Sequence, residues 1–245
     1  MREKQVVLSK RLKMLADQVT EGNRLVDIGC DHGYLSIYLV QKGICPSALA
    51  MDVRKGPLAA AEEHVGEYGL NREISLRLSD GMKELAEGEA DTAVCAGMGG
   101  KLMAKIITDS LQKARGLKEL ILQPQSELRE FREFLREEHF EVLAEDATFE
   151  DGKYYFVMKV RYQPGEKNAA SVDVDRQRVF DVYGEGLLKR RHPVLLQYLE
   201  FREEVLNRIA ANLEKEEDNR TRQRLAEVRG ELQDLQEAFS FFRQV

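Results

Sequence analysis

The segment Val26-Asp27-Ile28-Gly29-Cys30-Asp31-His32-Gly33 decides the reading of this chain. A short apolar run carrying one acid passes abruptly into glycines and polar residues, and a helical pattern begins at Tyr34. A strand that ends in a glycine turn and feeds a helix lets backbone approach a ligand closely, and the helix start offers unpaired N–H groups. A dinucleotide-binding turn has the spacing Gly-x-Gly-x-x-Gly. Here Gly29 and Gly33 flank three residues, and Asp31 stands where the middle glycine would be. That spacing disfavours an NAD-dependent oxidoreductase. The pattern acid-x-Gly-x-x-x-Gly, opening with Asp27, suits instead a ligand that presents a zwitterionic amino acid to the loop, because an acid can meet its amine.

Outward from this turn, apolar runs alternate with helical stretches. Strands are expected over residues 25–28, 48–52, 74–78, 92–96 and 119–122, and helices over 34–42, 57–68, 101–114 and 127–138. This rhythm implies a parallel sheet covered on both faces. Residues 140–147 and 154–161 flank Glu150-Asp151-Gly152-Lys153, whose Asp-Gly step predicts an antiparallel hairpin. Ahead of the sheet, Leu8, Leu12, Leu15 and Val19 mark an amphipathic helix with Lys10, Arg11 and Lys13 between them. After Pro164-Gly165 a polar stretch, residues 166–171, reads as a linker, and everything beyond it as helix. Leu225, Val228, Leu232, Leu235, Phe239 and Phe242 form a heptad seam, facing Leu195, Leu199, Leu206, Ile209 and Leu213 with Arg202 interrupting. The expected division is a Rossmann-like domain over residues 1–163 and a helical hairpin domain over 164–245.

Three further signals lie at strand ends, where open α/β sheets bind ligands. Asp52, followed by Val53, closes the second strand and offers a carboxylate to two ribose hydroxyls. Asp80-Gly81 follows the third strand and can read an adenine edge; Ala96-Gly97-Met98-Gly99-Gly100 closes the fourth as a loop nearly without side-chain bulk. With Asp27, Gly29, Cys30, Asp31 and Gly33 these make up a site for S-adenosylmethionine, with Ala96, Gly97 and Met98 on its inner wall. The acceptor side would be formed by Gly99, Gly100, Gln123, Gln125 and Tyr154, with His32 and Gln123 as candidate catalytic groups. Enzymes that methylate an exocyclic amine generally carry (Asp/Asn)-Pro-Pro-aromatic after the fourth strand, and Ala96-Gly97-Met98-Gly99 occupies that place. Cys95 follows Val94 rather than a proline and reads as a buried small hydrophobe, not a nucleophile.

The chain has 245 residues and a net charge of −6, but residues 1–24 carry six basic and three acidic side chains. A local basic face suffices to meet phosphate, so an RNA partner is compatible with the acidic average. Lys10 and Arg11, and the later Lys189-Arg190-Arg191-His192, are the basic clusters. Three scattered cysteines suit neither a disulfide framework nor a metal site, and no apolar run is long enough to span a membrane. A cytoplasmic protein is expected, as a monomer or weak dimer.

Together, Leu8-Ser9-Lys10-Arg11-Leu12, Asp27-Ile28-Gly29-Cys30-Asp31-His32-Gly33-Tyr34-Leu35, Ala96-Gly97-Met98-Gly99-Gly100, Leu122-Gln123-Pro124-Gln125 and Glu150-Asp151-Gly152-Lys153-Tyr154-Tyr155 resemble the bacterial TrmK family. The family often has Thr-Asp-His-Ala where this chain has Cys30-Asp31-His32-Gly33. The resemblance implies a class I methyltransferase fold with a mostly parallel seven-stranded sheet and a coiled-coil-like helical C-terminal domain. It also implies S-adenosylmethionine-dependent methylation of N1 of adenine-22 in the D-loop of tRNA. The residues by themselves leave open a same-fold enzyme acting on a small molecule or protein, and a non-catalytic interaction protein on a Rossmann scaffold.

Overall fold

A computed structural model describes residues 5–165, 173–215 and 218–243, so the expected linker at 166–171 lies outside the described residues. The chain forms two compact units that divide between residues 166 and 167. In the first, α1 (Lys10–Gln18) precedes β1 (Leu25–Ile28), α2 (Tyr34–Gln41), β2 (Ala48–Asp52), α3 (Lys55–Glu67) and β3 (Ile74–Leu78). Then come β4 (Thr92–Met98), α4 (Gly100–Asp109), α5 (Leu111–Gly116), β5 (Glu119–Pro124), α6 (Leu128–Glu137), β6 (Phe140–Glu150) and β7 (Lys153–Tyr162).

The seven strands form one sheet in the order β3-β2-β1-β4-β5-β7-β6. The first five pair in parallel, and β7 runs antiparallel between β5 and β6. Strands buried on both faces read as continuous apolar runs, and their alternate residues feed two separate cores. Val26, Leu49 and Cys95 pack with Met103 and Ile107 of α4 and Phe131 and Leu135 of α6. Leu25, Ala50 and Val94 pack with Leu15 of α1, Ile37 and Leu39 of α2, and Ala61 and Val65 of α3. Asp27 shares its strand face with Leu25, which turns its carboxylate toward α2.

Two boundaries differ from expectation. Residues 101–114, expected as one helix, break at Ser110, whose backbone (φ −135°, ψ 37°) leaves the helical region and starts α5 on a new axis. Residues 97–100, expected as a loop, divide between strand and helix. β4 continues to Met98 through a register shift at Gly97 (φ +78°), and Gly100 already lies in the first turn of α4. A bulge absorbs one extra residue without ending the ladder.

α1 is docked rather than free. Ser9 Oγ accepts from the Leu12 N–H at 3.3 Å, while the Glu150 carboxylate accepts from the N–H groups of Lys10 (2.7 Å) and Arg11 (3.1 Å). A carboxylate over the first turn satisfies orphan donors and interacts favourably with the positive end of the helix dipole. Arg132 of α6 reaches the Glu145 carboxylate on β6 through Nε (3.1 Å) and Nη2 (2.9 Å), and both side chains are buried.

In the second unit, α7 (Val174–Tyr183) and α8 (Glu185–Lys189) lead to two long helices, α9 (Pro193–Leu213) and α10 (Asn219–Arg243). Leu195, Leu199 and Leu206 of α9 and Val228, Leu235 and Phe239 of α10 are buried, whereas Leu225, Leu232 and Phe242 are half-buried. Arg202, which interrupts the seam, meets Glu231 of α10 at 2.8 Å. His192 caps α9, its Nδ1 accepting from the Val194 N–H, and Lys189 pairs with Glu185. No described helix is long and apolar enough to cross a membrane.

Removing one partner of a buried ion pair leaves the other charge uncompensated. Arg132→Ala should therefore lower the unfolding free energy in urea by about 3–5 kcal/mol, and the double change Arg132→Met with Glu145→Leu by clearly less. Equal losses for the single and double variants would contradict this account.

Candidate active site

The parallel register sets four strand ends side by side. Ile28 lies opposite Met51 of β2 and Cys95 of β4, and Met51 lies opposite Arg77 of β3. One residue further along stand Gly29, Asp52, Leu78 and Ala96, so four loops leave the sheet from one row. This row brackets the point where the chain order reverses, with β2 on one side of β1 and β4 on the other. Open α/β sheets bind ligands at such a reversal.

The turn after β1 is stitched to β2: the N–H groups of Gly29 (2.8 Å) and Cys30 (3.0 Å) both donate to the Met51 carbonyl. Gly29 (φ +74°), Asp31 (φ +51°) and Gly33 (φ +72°) alternate into left-handed backbone. At Gly33 a side chain would also crowd Ala61 of α3 at 3.2 Å. Asp27 is buried and accepts a hydrogen bond from Ser36 Oγ at 2.9 Å. Burial pushes its carboxyl up to about 6; the Ser36 bond opposes that rise and the nearby Asp52 charge adds to it. Asp52 is also buried, with Oδ1 accepting from the Arg54 N–H at 2.8 Å and lying 3.7 Å from Arg54 Nε. Both contacts fall on Oδ1, so Oδ2 is available to accept from a diol. Two neighbouring buried carboxyl groups favour a cationic, donor-rich ligand.

The other expected cofactor residues take different places. Val53 is an exposed apolar side chain directly beyond Asp52. Asp80 is exposed and pairs with Lys83, whose ammonium holds its carboxyl below the ordinary range. Gly81 serves packing, because a Cβ there would meet Ile106 of α4 at 2.8 Å. The Met98 side chain reaches over Gly29, its methyl lying where a Cβ would stand. Cys30 and Cys95 are buried thiols, and burial pushes Cys95 up to about 12, which removes it as a nucleophile.

On the acceptor side the structure gathers residues far apart in sequence. Gln123, fully buried at the end of β5, accepts at Oε1 from Arg11 Nη1 (3.1 Å) and donates from Nε2 to the Pro124 carbonyl (3.3 Å). The Arg11 guanidinium lies 5.5 Å from the centre of the Tyr155 ring. A Cβ built on Gly97 would stand 3.5 Å from Arg11 Nη1 and 3.8 Å from Gln125 Nε2, so these three residues border one space. Gly99 and Gly100 face protein instead: a side chain on Gly100 would strike the carbonyls of Ser126 (2.8 Å) and Glu127 (2.9 Å). Tyr154, expected on the acceptor surface, packs against Phe149 with the rings tilted by 47° and their centres 4.7 Å apart. Tyr155 joins the Arg11 cluster in its place, because neighbours on a strand face opposite sides. Gln123, expected as a catalytic group on the acceptor side, is buried and accepts a hydrogen bond from Arg11. Lys10 remains exposed, whereas Lys13 pairs with Asp17 on its own helix.

His32 is exposed, 3.9 Å from Asp31 Oδ2, and forms an aromatic group with Tyr34 and His64. His64 of α3 stacks on Tyr34 with 4.6 Å between centres, and its two ring nitrogens reach the His32 carbonyl (3.0 Å) and the Tyr34 hydroxyl (3.2 Å). Sequence reasoning did not find His64 or Glu127, and it met Glu150 and Tyr155 only within the hairpin motif, without the contacts they make to α1. Glu127 (φ +56°) accepts from the Lys101 N–H at 3.2 Å and ties the start of α4 to α6. For His64 no local signal exists, since it looks like any polar residue on a helix face.

A family model described as a methyltransferase domain matches residues 8–158. The chain is 33% identical over 234 residues to the tRNA (adenine(22)-N(1))-methyltransferase of Bacillus subtilis, covering 94% of this chain and 96% of that protein. The crystal structure of the B. subtilis m1A22 tRNA methyltransferase TrmK superposes with a TM-score of 0.83 at 31% identity, covering 96% and 99% of the two chains. A Streptococcus pneumoniae structure in complex with S-adenosyl-L-methionine gives a TM-score of 0.80 at 32% identity, covering 95% and 99%. With a row of buried acids and left-handed glycines at the sheet's reversal point, and likeness over nearly the whole length, this chain belongs to the TrmK family of methyltransferases.

Proposed function

We infer that this protein methylates N1 of adenine-22 in tRNA with S-adenosylmethionine as donor. The observation that carries this reading is the likeness to the B. subtilis tRNA (adenine(22)-N(1))-methyltransferase across both units, not the Rossmann part alone. The residues of the first unit fit the cofactor. Asp27 would hold the amine, the left-handed turn at Gly29, Cys30, Asp31 and Gly33 would admit the methionine portion, and Asp52 would accept from the ribose, with Val53 against the adenine. Asp80 would meet the adenine edge, and Ala96, Gly97 and Met98 would line the methyl end. When bound, S-adenosylmethionine supplies an electrophilic methyl group on a cationic sulfur.

Methyl transfer to a ring nitrogen is an in-line displacement, so the protein chiefly aligns two partners. Adenine N1 carries an in-plane lone pair and needs no strong base. That agrees with a cleft whose floor holds amides, glycines and a guanidinium, and whose cysteine is buried and protonated. The base would be turned out of its helix to expose N1 and enter beside Gly97 and Gln125, with Gly99 and Gly100 packed behind them against the start of α6. His32, exposed within its aromatic group, is suited to contacting the RNA at the lip of the cleft rather than to moving a proton at N1. Lys10 would meet phosphate from outside, and Tyr154 with Phe149 would offer a stacking surface on the other face of the hairpin. We place the protein in the cytoplasm, in keeping with its free buried thiols. The α9–α10 pair is read as a coiled-coil-like hairpin in a monomer or weak dimer.

The direct test incubates the protein with labelled S-adenosylmethionine and unmodified bacterial tRNA and maps the methylated nucleoside. N1-methyladenosine at position 22 is expected; label elsewhere, or none, overturns the reading. Asp52→Ala should weaken cofactor binding by roughly tenfold or more through lost charge-assisted hydrogen bonds, measured by calorimetry; unchanged affinity would move the ribose away from β2. Asp27 links affinity to pH. As pH falls through about 6 its carboxylate takes a proton, so cofactor affinity should drop there in the wild type and show no such step in Asp27→Asn. The sign for stability is opposite. A carboxyl raised above its unfolded value stabilises in acid, and that contribution is lost as pH rises through about 6. Asp27→Asn should therefore stabilise the ligand-free protein at pH 8 by about 1–3 kcal/mol while weakening cofactor binding. An unfolding midpoint that falls at pH 8 would contradict the burial argument.

A further inference from the structure

Arg11 lies on a helix whose basic residues suggest an outward, phosphate-facing surface, yet its guanidinium points inward. Its backbone N–H is held by Glu150, Nη1 donates to Gln123, and the guanidinium lies over Tyr155 beside the open space at Gly97. The side chain is half-buried, and both groups that touch the guanidinium are neutral. Glu150 is the acid whose charge Arg11 influences, but its two oxygens are engaged by the α1 backbone. Among the described residues no carboxylate comes within ion-pair distance of the guanidinium. A partly desolvated charge with only neutral partners is under-compensated. A guanidinium also presents a planar fork of donors, of which Gln123 uses one, and that fork matches paired anionic oxygens.

We propose that the Arg11 guanidinium is a preformed seat for an anionic oxygen pair that arrives with a substrate, and that Gln123, Tyr155 and Glu150 are positioning residues that hold it there. The proposal rests on the methyl-transfer reading above and names a contact in the same cleft. Methylation at N1 leaves positive charge on the adenine ring, so a fixed cation is poorly suited to face that ring. The reaction brings two oxyanions into reach: the α-carboxylate of the cofactor and a phosphodiester flanking the target nucleotide. Both satisfy the same geometry, and they can be separated experimentally.

Calorimetry with S-adenosylmethionine and with its decarboxylated analogue, on the wild type, Arg11→Lys and Arg11→Gln, reads the first source. A loss of roughly tenfold or more for the cofactor, absent for the analogue, assigns the seat to the carboxylate. The second source is read by kcat/KM on tRNA bearing one methylphosphonate on either side of adenine-22. Unchanged cofactor affinity, with a fall in kcat/KM that disappears on one neutralised RNA, assigns the seat to that phosphodiester. Gln123→Glu separates this role from a purely structural one. A carboxylate under Arg11 would tighten its anchor but neutralise its charge, so the same loss is expected with the thermal midpoint unchanged or raised. Wild-type affinity and kcat/KM in both Arg11→Gln and Gln123→Glu would overturn the proposal, as would equal losses on charged and neutral probes. Wild-type protein that leaves unmodified tRNA unlabelled would overturn the functional reading instead, with the calorimetric arm still able to decide the role of Arg11.

Discussion

Parallel pairing of β1 with β2 on one side and β4 on the other is the constraint from which the site follows. Because these strands run the same way, their carboxyl ends share one edge, and the loops after β1, β2, β4 and β5 each lead into a helix. Both faces of the sheet are packed with apolar side chains, so polar groups gather only where the strands stop. Asp27 and Asp52 stand at that limit. Both are buried, and burial disfavours the ionisation of Asp27, yet they border the reversal point that a ligand would enter. The strain is local: a buried carboxylate weakens the empty protein and strengthens the liganded one.

Glycines at the carboxyl edge answer two different demands. At Gly97 nothing lies closer than 3.5 Å to a built Cβ, so the position remains open toward the cleft. At Gly33, Gly81 and Gly100 a Cβ would meet Ala61, Ile106 or the Ser126 and Glu127 carbonyls, so these residues let helices approach the sheet. A ligand-binding loop and a tightly packed helix start both select glycine, and only the neighbouring atoms tell them apart.

The acceptor side depends on the hairpin that ends the sheet. Glu150, at the last position of β6, fixes the first turn of α1 from 139 and 140 residues away in sequence. That fixed turn directs Arg11 across Tyr155 to Gln123. The hairpin's antiparallel addition next to β5 is therefore part of the cleft as well as an edge to the sheet. Within the second unit the same economy applies to the basic cluster, where His192 caps a helix and Lys189 answers Glu185.

Periodicity was enough to read the strands at 25–28, 48–52 and 74–78, the hairpin, the paired long helices, and the acids and glycines at the strand ends. These properties are local: apolar alternation, turn chemistry and the position of a polar residue at the end of an apolar run all act within a few residues. The motif around Gly29 thus carried both the fold and the cofactor class. The break at Ser110, the bulge at Gly97, the face taken by Tyr154 and the inward turn of Arg11 were not legible. Each depends on which distant atoms fill the space beside the residue. In the same way, Gln123 lies beneath the cleft surface because Arg11 covers it, a relation between residues 112 apart that only the folded chain can set.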